Sequence, residues 1–234
     1  MRYELYYWPG IQGRGEFIRL ALEETGAPYT DVAREDVSAL MRFLDSKDVA
    51  FPPFAPPFLK AGRLLVGQTA NILLFLGDRH NLAPKSEAGR LWTHQLQLTI
   101  SDLVAEIHEG HHPISGGLYY EDQKPEAAKR SKALREERLP KYLGYFARVL
   151  ATGKGGWLTG RALSYADLSL FQVVAGLRYA FPRHMKRLGA DYPALTTLHD
   201  RVAARPRVAA YLASPRRLPF STEGIFRHYP ELDP

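Results

Sequence analysis

A small mixed α/β unit followed by an all-helical one is the architecture this sequence predicts, on three observations. Strand and helix patterns alternate through the first 80 residues. Strand signals stop beyond Leu82-Ala83-Pro84. Leu96, Ile100, Leu103 and Ile107 then recur at the four- and three-residue steps of one helix face.

The elements follow in order. Tyr3, Leu5 and Tyr7 alternate along a first strand, Tyr3 to Tyr7, which turns Tyr6 to the opposite face. A helix spans Glu16 to Glu24 and ends at Gly26, a residue free to adopt the left-handed cap. Thr30 to Ala33 reads as a second strand, and a helical or irregular crossover leads to strands at Phe58 to Ala61 and Leu64 to Val66. The last helix of this unit runs from Gln68-Thr69 to about Asp78. The expected division is 1–80 for the mixed unit, 81–88 for a linker and 89–234 for the helices. Pro125 and Pro140 punctuate the later helices, and Leu143, Phe146, Val149 and Leu150 keep the helical spacing.

In Leu163-Ser164-Tyr165-Ala166-Asp167-Leu168, Ser164 can cap the amide three residues on while Asp167 reaches back, and Leu163 can staple Leu168. The segment from Leu218 is loop-like, yet Phe220, Ile225, Phe226 and Tyr229 fit it to pack over something apolar.

With 234 residues, 45% of them hydrophobic, the chain can bury a sizeable core without staples. No window approaches the roughly 18 apolar residues of a membrane span. The N-terminus carries no basic start followed by an apolar run, so the expectation is a cytoplasmic protein without a membrane partner. The absence of cysteine removes disulfide exchange, thiolate metal sites and cysteine nucleophiles. The net charge of +6 divides into −1 over residues 1–80 and +7 over the remainder. Much of that excess lies in Lys124 to Arg138, interleaved with Glu126, Glu136 and Glu137 and lacking aromatic partners, which describes a solvated helix face rather than a nucleic-acid footprint.

Two neighbouring features point to a ligand. Pro56-Pro57 precedes strand-like Phe58-Leu59; proline cannot donate to a ladder, so the backbone there is an edge or a turn, with a cis bond expected. Such an edge can take an extended peptide as an added strand. Eleven residues after Pro57, Gln68 and Thr69 open an apolar helix. Free backbone N–H groups, a hydroxyl and an amide at a helix N-terminus form a carboxylate receptor. An edge for a peptide backbone beside a pocket for its carboxylate describes a site for a small acidic peptide.

That arrangement resembles the cytosolic glutathione transferases, in which a cis-proline stretch is followed at this spacing by Gln-Ser or Gln-Thr. Tyr7-Trp8-Pro9 followed by Gly13-Arg14-Gly15-Glu16 is similar to the family's first-strand motif, and Trp157-Leu158-Thr159-Gly160 with Ser164-x-Ala166-Asp167 to its C-domain folding motif. The resemblance, nearest to the sigma and alpha classes, covers nearly the whole chain. It implies a thioredoxin-like N-terminal domain with a mixed four-stranded sheet, an all-helical C-terminal domain, and a homodimer. The implied reaction conjugates the glutathione thiolate to an apolar electrophile, with glutathione as cosubstrate and no prosthetic group. A glutathione-dependent isomerase or peroxidase, or a non-catalytic transferase-like binding protein, are the alternatives.

By the same resemblance Tyr7 and Arg14 are catalytic. Trp8, Arg42, Lys47, Pro56, Pro57, Gln68, Thr69 and Asp102 would hold glutathione, Asp102 by reaching across a dimer interface to its amino group. Gly10, Ile11, Gln12, His108, His111 and His112 would border the electrophile. The physical warrant for Tyr7 and Arg14 is direct. A thiol with a pKa near 8.5 is only about 3% ionised at pH 7, and a hydroxyl donating to the sulfur, with a permanent cation nearby, stabilises the anion. The histidines lack a cysteine or a well-spaced acid, so no metal is expected there. Two departures bear on the carry-over: one extra residue separates Tyr7 from Arg14, and Pro56 has no N–H. The second removes one of two strand-like bonds to the ligand's cysteine unit, on the order of 1 kcal/mol.

Overall fold

The computed structural model describes residues 2–46 and 49–234, so Lys47 lies outside the described residues. The N-terminal elements are β1 (Tyr3–Tyr6), α1 (Gly15–Thr25), β2 (Tyr29–Asp31), α2 (Val32–Glu35), α3 (Val37–Leu44), β3 (Phe58–Ala61), β4 (Leu64–Gly67) and α4 (Thr69–Arg79). They build a four-stranded sheet of order β2-β1-β3-β4, in which β1 runs parallel to β2 and antiparallel to β3, and β3 antiparallel to β4. This is the thioredoxin-like arrangement expected of the sequence.

The period-two rule holds along β1. Tyr3 and Leu5 enter the main core, whereas Tyr6 stacks on Phe58 at 4.6 Å in a small second cluster with Ala33 and Leu40. β1 ends one residue before the expected Tyr7, and β2 departs further: it runs Tyr29–Asp31, and Val32 and Ala33 open a short helix instead of ending the strand. Ala33 still reaches the second cluster, so its burial mimics strand alternation, while Asp31 turns its carboxylate to the buried Arg19 at 2.6 Å.

The helical part comprises α5 (Glu87–Glu109), α6 (Lys124–Ala133), α7 (Leu139–Thr152), α8 (Tyr165–Ala180), α9 (Pro182–Asp191), α10 (Pro193–Ala203) and α11 (Pro206–Leu212). Pro125 and Pro140 stand in the first turns of α6 and α7, where a missing N–H costs nothing. A π-helical stretch, Leu134–Arg138, joins these two helices. Among the described residues, no helix is long and apolar enough to cross a membrane.

Helix α8 is buried along nearly its whole length and forms the axis of this part. Its start is fixed by the predicted capping box. The Ser164 amide and hydroxyl donate to Asp167 Oδ2 at 2.8 and 2.6 Å, and the Leu158 amide donates to Oδ1 at 2.8 Å. The Tyr165 amide donates to the Leu82 carbonyl, and its ring lies against Gly77, where a Cβ would fall 2.6 Å from the ring. The same turn thus closes α8 and seats it on α4. Replacing Asp167 with alanine removes three hydrogen bonds to a buried carboxylate, a loss expected to cost about 2–4 kcal/mol. Thermal denaturation of Asp167→Ala should show a Tm lower by roughly 5–10 °C, while the KM for substrates of the folded variant stays at the wild-type value.

Candidate active site

Tyr7 follows β1 with its side chain only 4% exposed. The turn leading into α1 folds over its ring. A Cβ at Gly13 (φ +46°) would fall 2.1 Å from the hydroxyl oxygen, and one at Gly15 would fall 2.6 Å from the ring, so any side chain at either position displaces Tyr7. That close approach lets the Arg14 amide donate to the Tyr7 hydroxyl oxygen at 2.8 Å. Burial pushes the Tyr7 pKa above the ordinary tyrosine range, opposed by the Arg14 amide and by the charges of Arg14 and Arg19. The phenol therefore keeps its proton at neutral pH. Its oxygen accepts from one side while its O–H remains to donate from the other, toward an anion.

In front of this turn lies a cavity of about 360 Å³. Arg14 and Phe17 of α1 line one wall, Gln68 and Thr69 at the start of α4 a second, and His94 and Gln97 of α5 a third. The Pro56-Pro57 bond is cis, and Pro57 is buried just before β3. Gln68 has φ +67° and ψ 123°, a conformation that costs a non-glycine residue about 1–3 kcal/mol and gathers at ligand sites. No side chain caps α4, so its first-turn N–H groups open toward the cavity end of the helix. Three buried polar atoms of the lining have no partner: Thr69 Oγ1, His94 Nδ1 and Gln97 Oε1. Each such group costs about 1–3 kcal/mol when left unpaired, and all three belong to residues that line this cavity.

A buried network supports the turn from behind. The Glu16 carboxylate, fully buried, accepts from Tyr211 at 2.8 Å and Arg217 at 2.6 Å through Oε1, and from Arg19 at 3.3 Å through Oε2. Arg217 donates to Gln172 at 3.0 Å, Gln172 donates to Gln12 at 2.7 Å, and Gln12 in turn donates to the Leu218 carbonyl. The Arg19 guanidinium also reaches the Gln12 carbonyl at 3.2 Å. The residues flanking the Gly13-Arg14 turn are thereby tied to α8, α11 and the segment beyond it.

Comparison with known proteins agrees with this geometry. Residues 108–215 match the family described as glutathione S-transferase, C-terminal domain. The glutathione S-transferase of Plasmodium falciparum is 24% identical over 220 residues, covering 90% of this chain and 94% of that protein. Glutathione S-transferase P 1 of Xenopus laevis is 28% identical over 220 residues, covering 92% and 93%. The chain is thus similar to glutathione S-transferases along most of its length. In fold, the chain is similar to the solved structure of prostaglandin synthase D of Nilaparvata lugens, with a TM-score of 0.73 and 21% identity over 94% of this chain and all of that one.

The other residues expected at the site fall in three places. His108, His111 and His112 cluster at the end of α5, with ring centroids 4.8–5.2 Å apart. Gln12 is committed to the network, whereas Gly10 is exposed and Ile11 half-buried. The segment after α11 lies between these two groups. A Cβ at Gly224 would meet Ile11 at 3.7 Å, His111 Nε2 donates to the Ile225 carbonyl at 2.8 Å, and Phe226 lies flat on α8 at Gly176. Trp8 and Asp102 face solvent, and Arg42 is an exposed side chain on α3 paired with Asp36 at 2.9 Å. Among the described residues, no group of His, Cys, Asp and Glu is arranged to hold a metal ion. Sequence reasoning missed His94 and Gln97. Their i, i+3 spacing on the α5 pattern marks them as neighbours, but nothing local marks the cavity they face.

The histidine cluster has a pH consequence. Burial holds His108 down to about 4, helped by the charge of Arg14. Burial, aided by the charge of Arg227, holds His111 to about 3 and outweighs its bond to Ile225. Its Nδ1 is buried without a partner, so a proton there would be an unpaired donor. The unfolded chain, with histidines near 6.5, binds more protons than the fold between pH 6.5 and 4, so stability is lost as the pH falls through that window. Thermal scans should show Tm dropping by roughly 5 °C or more between pH 7 and pH 4.5. The double variant His108→Gln/His111→Gln should flatten that slope.

Proposed function

We propose that this enzyme conjugates glutathione to apolar electrophiles and that Tyr7 stabilises the glutathione thiolate. The observation that carries the reading is the Tyr7 hydroxyl, held protonated by burial and accepting the Arg14 amide, so that its own proton is free to donate to sulfur. A hydrogen bond to a charged group is worth about 1.5–3 kcal/mol, or about one to two pKa units on the thiol. That shift raises the thiolate fraction at pH 7 from about 3% to between roughly a quarter and three quarters. Arg14 adds a positive field that does not titrate.

The thiol proton leaves to solvent. A sulfur lone pair then forms the C–S bond to the electrophilic carbon, and the leaving group departs with its bonding electrons. Glutathione is consumed as cosubstrate, and no prosthetic group takes part.

In this reading residues 1–80 receive glutathione and residues 89–234 supply the electrophile side, joined by 81–88. Gln68 and Thr69 with the α4 amides take a carboxylate of the peptide, and the edge at Pro57 takes its backbone. Gly10, Ile11 and the α5 histidines border the electrophile, with Trp8 and Arg42 at the rim. The enzyme works in the cytoplasm as a homodimer. Phe51 and Phe54, 86% and 95% exposed, and Leu91, exposed on α5, supply apolar surface of the kind subunit contacts cover.

Steady-state conjugation of glutathione to an activated aryl halide tests the role of Tyr7. Tyr7→Phe should lower kcat at pH 6.5 about 10- to 100-fold, leave the glutathione KM within about twofold, and recover toward wild type above pH 9. A variant with wild-type kcat at pH 6.5 would remove Tyr7 from the chemistry.

A further inference from the structure

A second cavity, of about 560 Å³, opens where the sheet and helical parts meet, and it shares no residue with the cavity at Arg14. Glu24 at the end of α1 and Arg79 at the end of α4 line one side. Arg161, on the loop before α8, and Arg205 and Arg207, at the α10–α11 junction, line the other.

The charge of this lining is one-sided. It holds four arginines and a single carboxylate, a net of +3. That carboxylate is already taken, because Arg205 donates to Glu24 Oε1 through Nε at 2.7 Å and through a second nitrogen. Arg207 reaches the Glu24 carbonyl at 3.4 Å, with no carboxylate partner among the described residues. Arg79 lies on the Phe75 ring at 3.9 Å, where a cation suits the last turn of α4. Arg161 is exposed and has no partner among the described residues. Packing of the fold thus accounts for Arg205 and much of Arg79, but not for Arg161 or the remaining donors of Arg207.

Like charges gathered in one concavity repel until an anion joins them, and the walls focus the field they make. Guanidinium forks match phosphate oxygens two at a time. One isolated phosphate or sulfate meets part of this array, whereas a chain of phosphates presents several charges at neighbouring positions. We propose that this cavity binds a linear oligophosphate, free or carried on a nucleotide, with Arg161 and Arg207 holding phosphate oxygens and Arg79 adding its field. The volume suits such a ligand, since small-molecule sites span about 300–1,000 Å³. The site is independent of what fills the cavity at Arg14.

Isothermal titration calorimetry with sodium tripolyphosphate, at low ionic strength and without divalent cations, tests this. The wild type should bind it saturably, about tenfold or more tightly than sulfate. Arg161→Ala, at an exposed residue without partners, should keep the wild-type Tm and weaken tripolyphosphate about tenfold. Arg161→Ala/Arg207→Ala should weaken it further. Arg183→Ala/Lys186→Ala, which removes two exposed charges of α9, and Arg14→Ala should each change the affinity less than about twofold. Titration with ATP separates the two sources. Binding tighter than that of tripolyphosphate assigns the site to a nucleotide, equal or weaker binding assigns it to the free chain, and either supports it. A wild type without saturable binding, or one that binds sulfate as tightly, would overturn the proposal. So would an unchanged affinity in Arg161→Ala, an equal loss in the α9 variant, or a loss of binding in Arg14→Ala.

Discussion

The buried Glu16 carboxylate is the group on which the arrangement of this protein depends. It has no access to solvent and is held by two arginines and a tyrosine drawn from its own helix, from α11 and from the segment beyond it. A carboxylate so placed is tolerable only while its partners stay, and removing one partner of a buried ion pair costs about 3–5 kcal/mol. The consequence is geometric. Glu16 is two residues from Arg14, so the charge that must be satisfied pins the first turn of α1, and with it the amide that polarises Tyr7, to parts of the chain some 200 positions away.

Each half of the molecule thus supplies what the other lacks. The sheet domain provides the donors: the Tyr7 hydroxyl, the α4 amides and Thr69. The helical domain provides the cavity's third wall, including His94 and Gln97, and through Gln172 and Arg217 the support for the turn over Tyr7. The capping box at Ser164 and Asp167 seats α8 against α4, which fixes the distance between those walls.

The sequence made the frame legible because its determinants are local. β3 falls where the alternation of Phe58 to Ala61 predicts it, Pro125 and Pro140 open the helices they punctuate, and the Ser164–Asp167 box has the bonds that its spacing predicts. Gln68 and Thr69 were visible at the mouth of α4 for the same reason. What was not legible depends on contacts between distant residues. Nothing near Gln172 says that its amide will meet Gln12, 160 residues earlier. Nothing in the α5 pattern distinguishes Gln97, a polar residue on a buried face, from a polar residue at a helix boundary. Ala33 misled because burial in the second cluster satisfies the strand rule as well as a short helix does.

The ultraviolet absorbance of thiolate, followed against pH with glutathione bound to the wild type, reads the central claim at the sulfur itself. The account predicts an apparent pKa near 7 for the bound thiol, roughly one to two units below the usual value near 8.5. Saturable binding with thiolate forming only at pH 8.5 and above would contradict it.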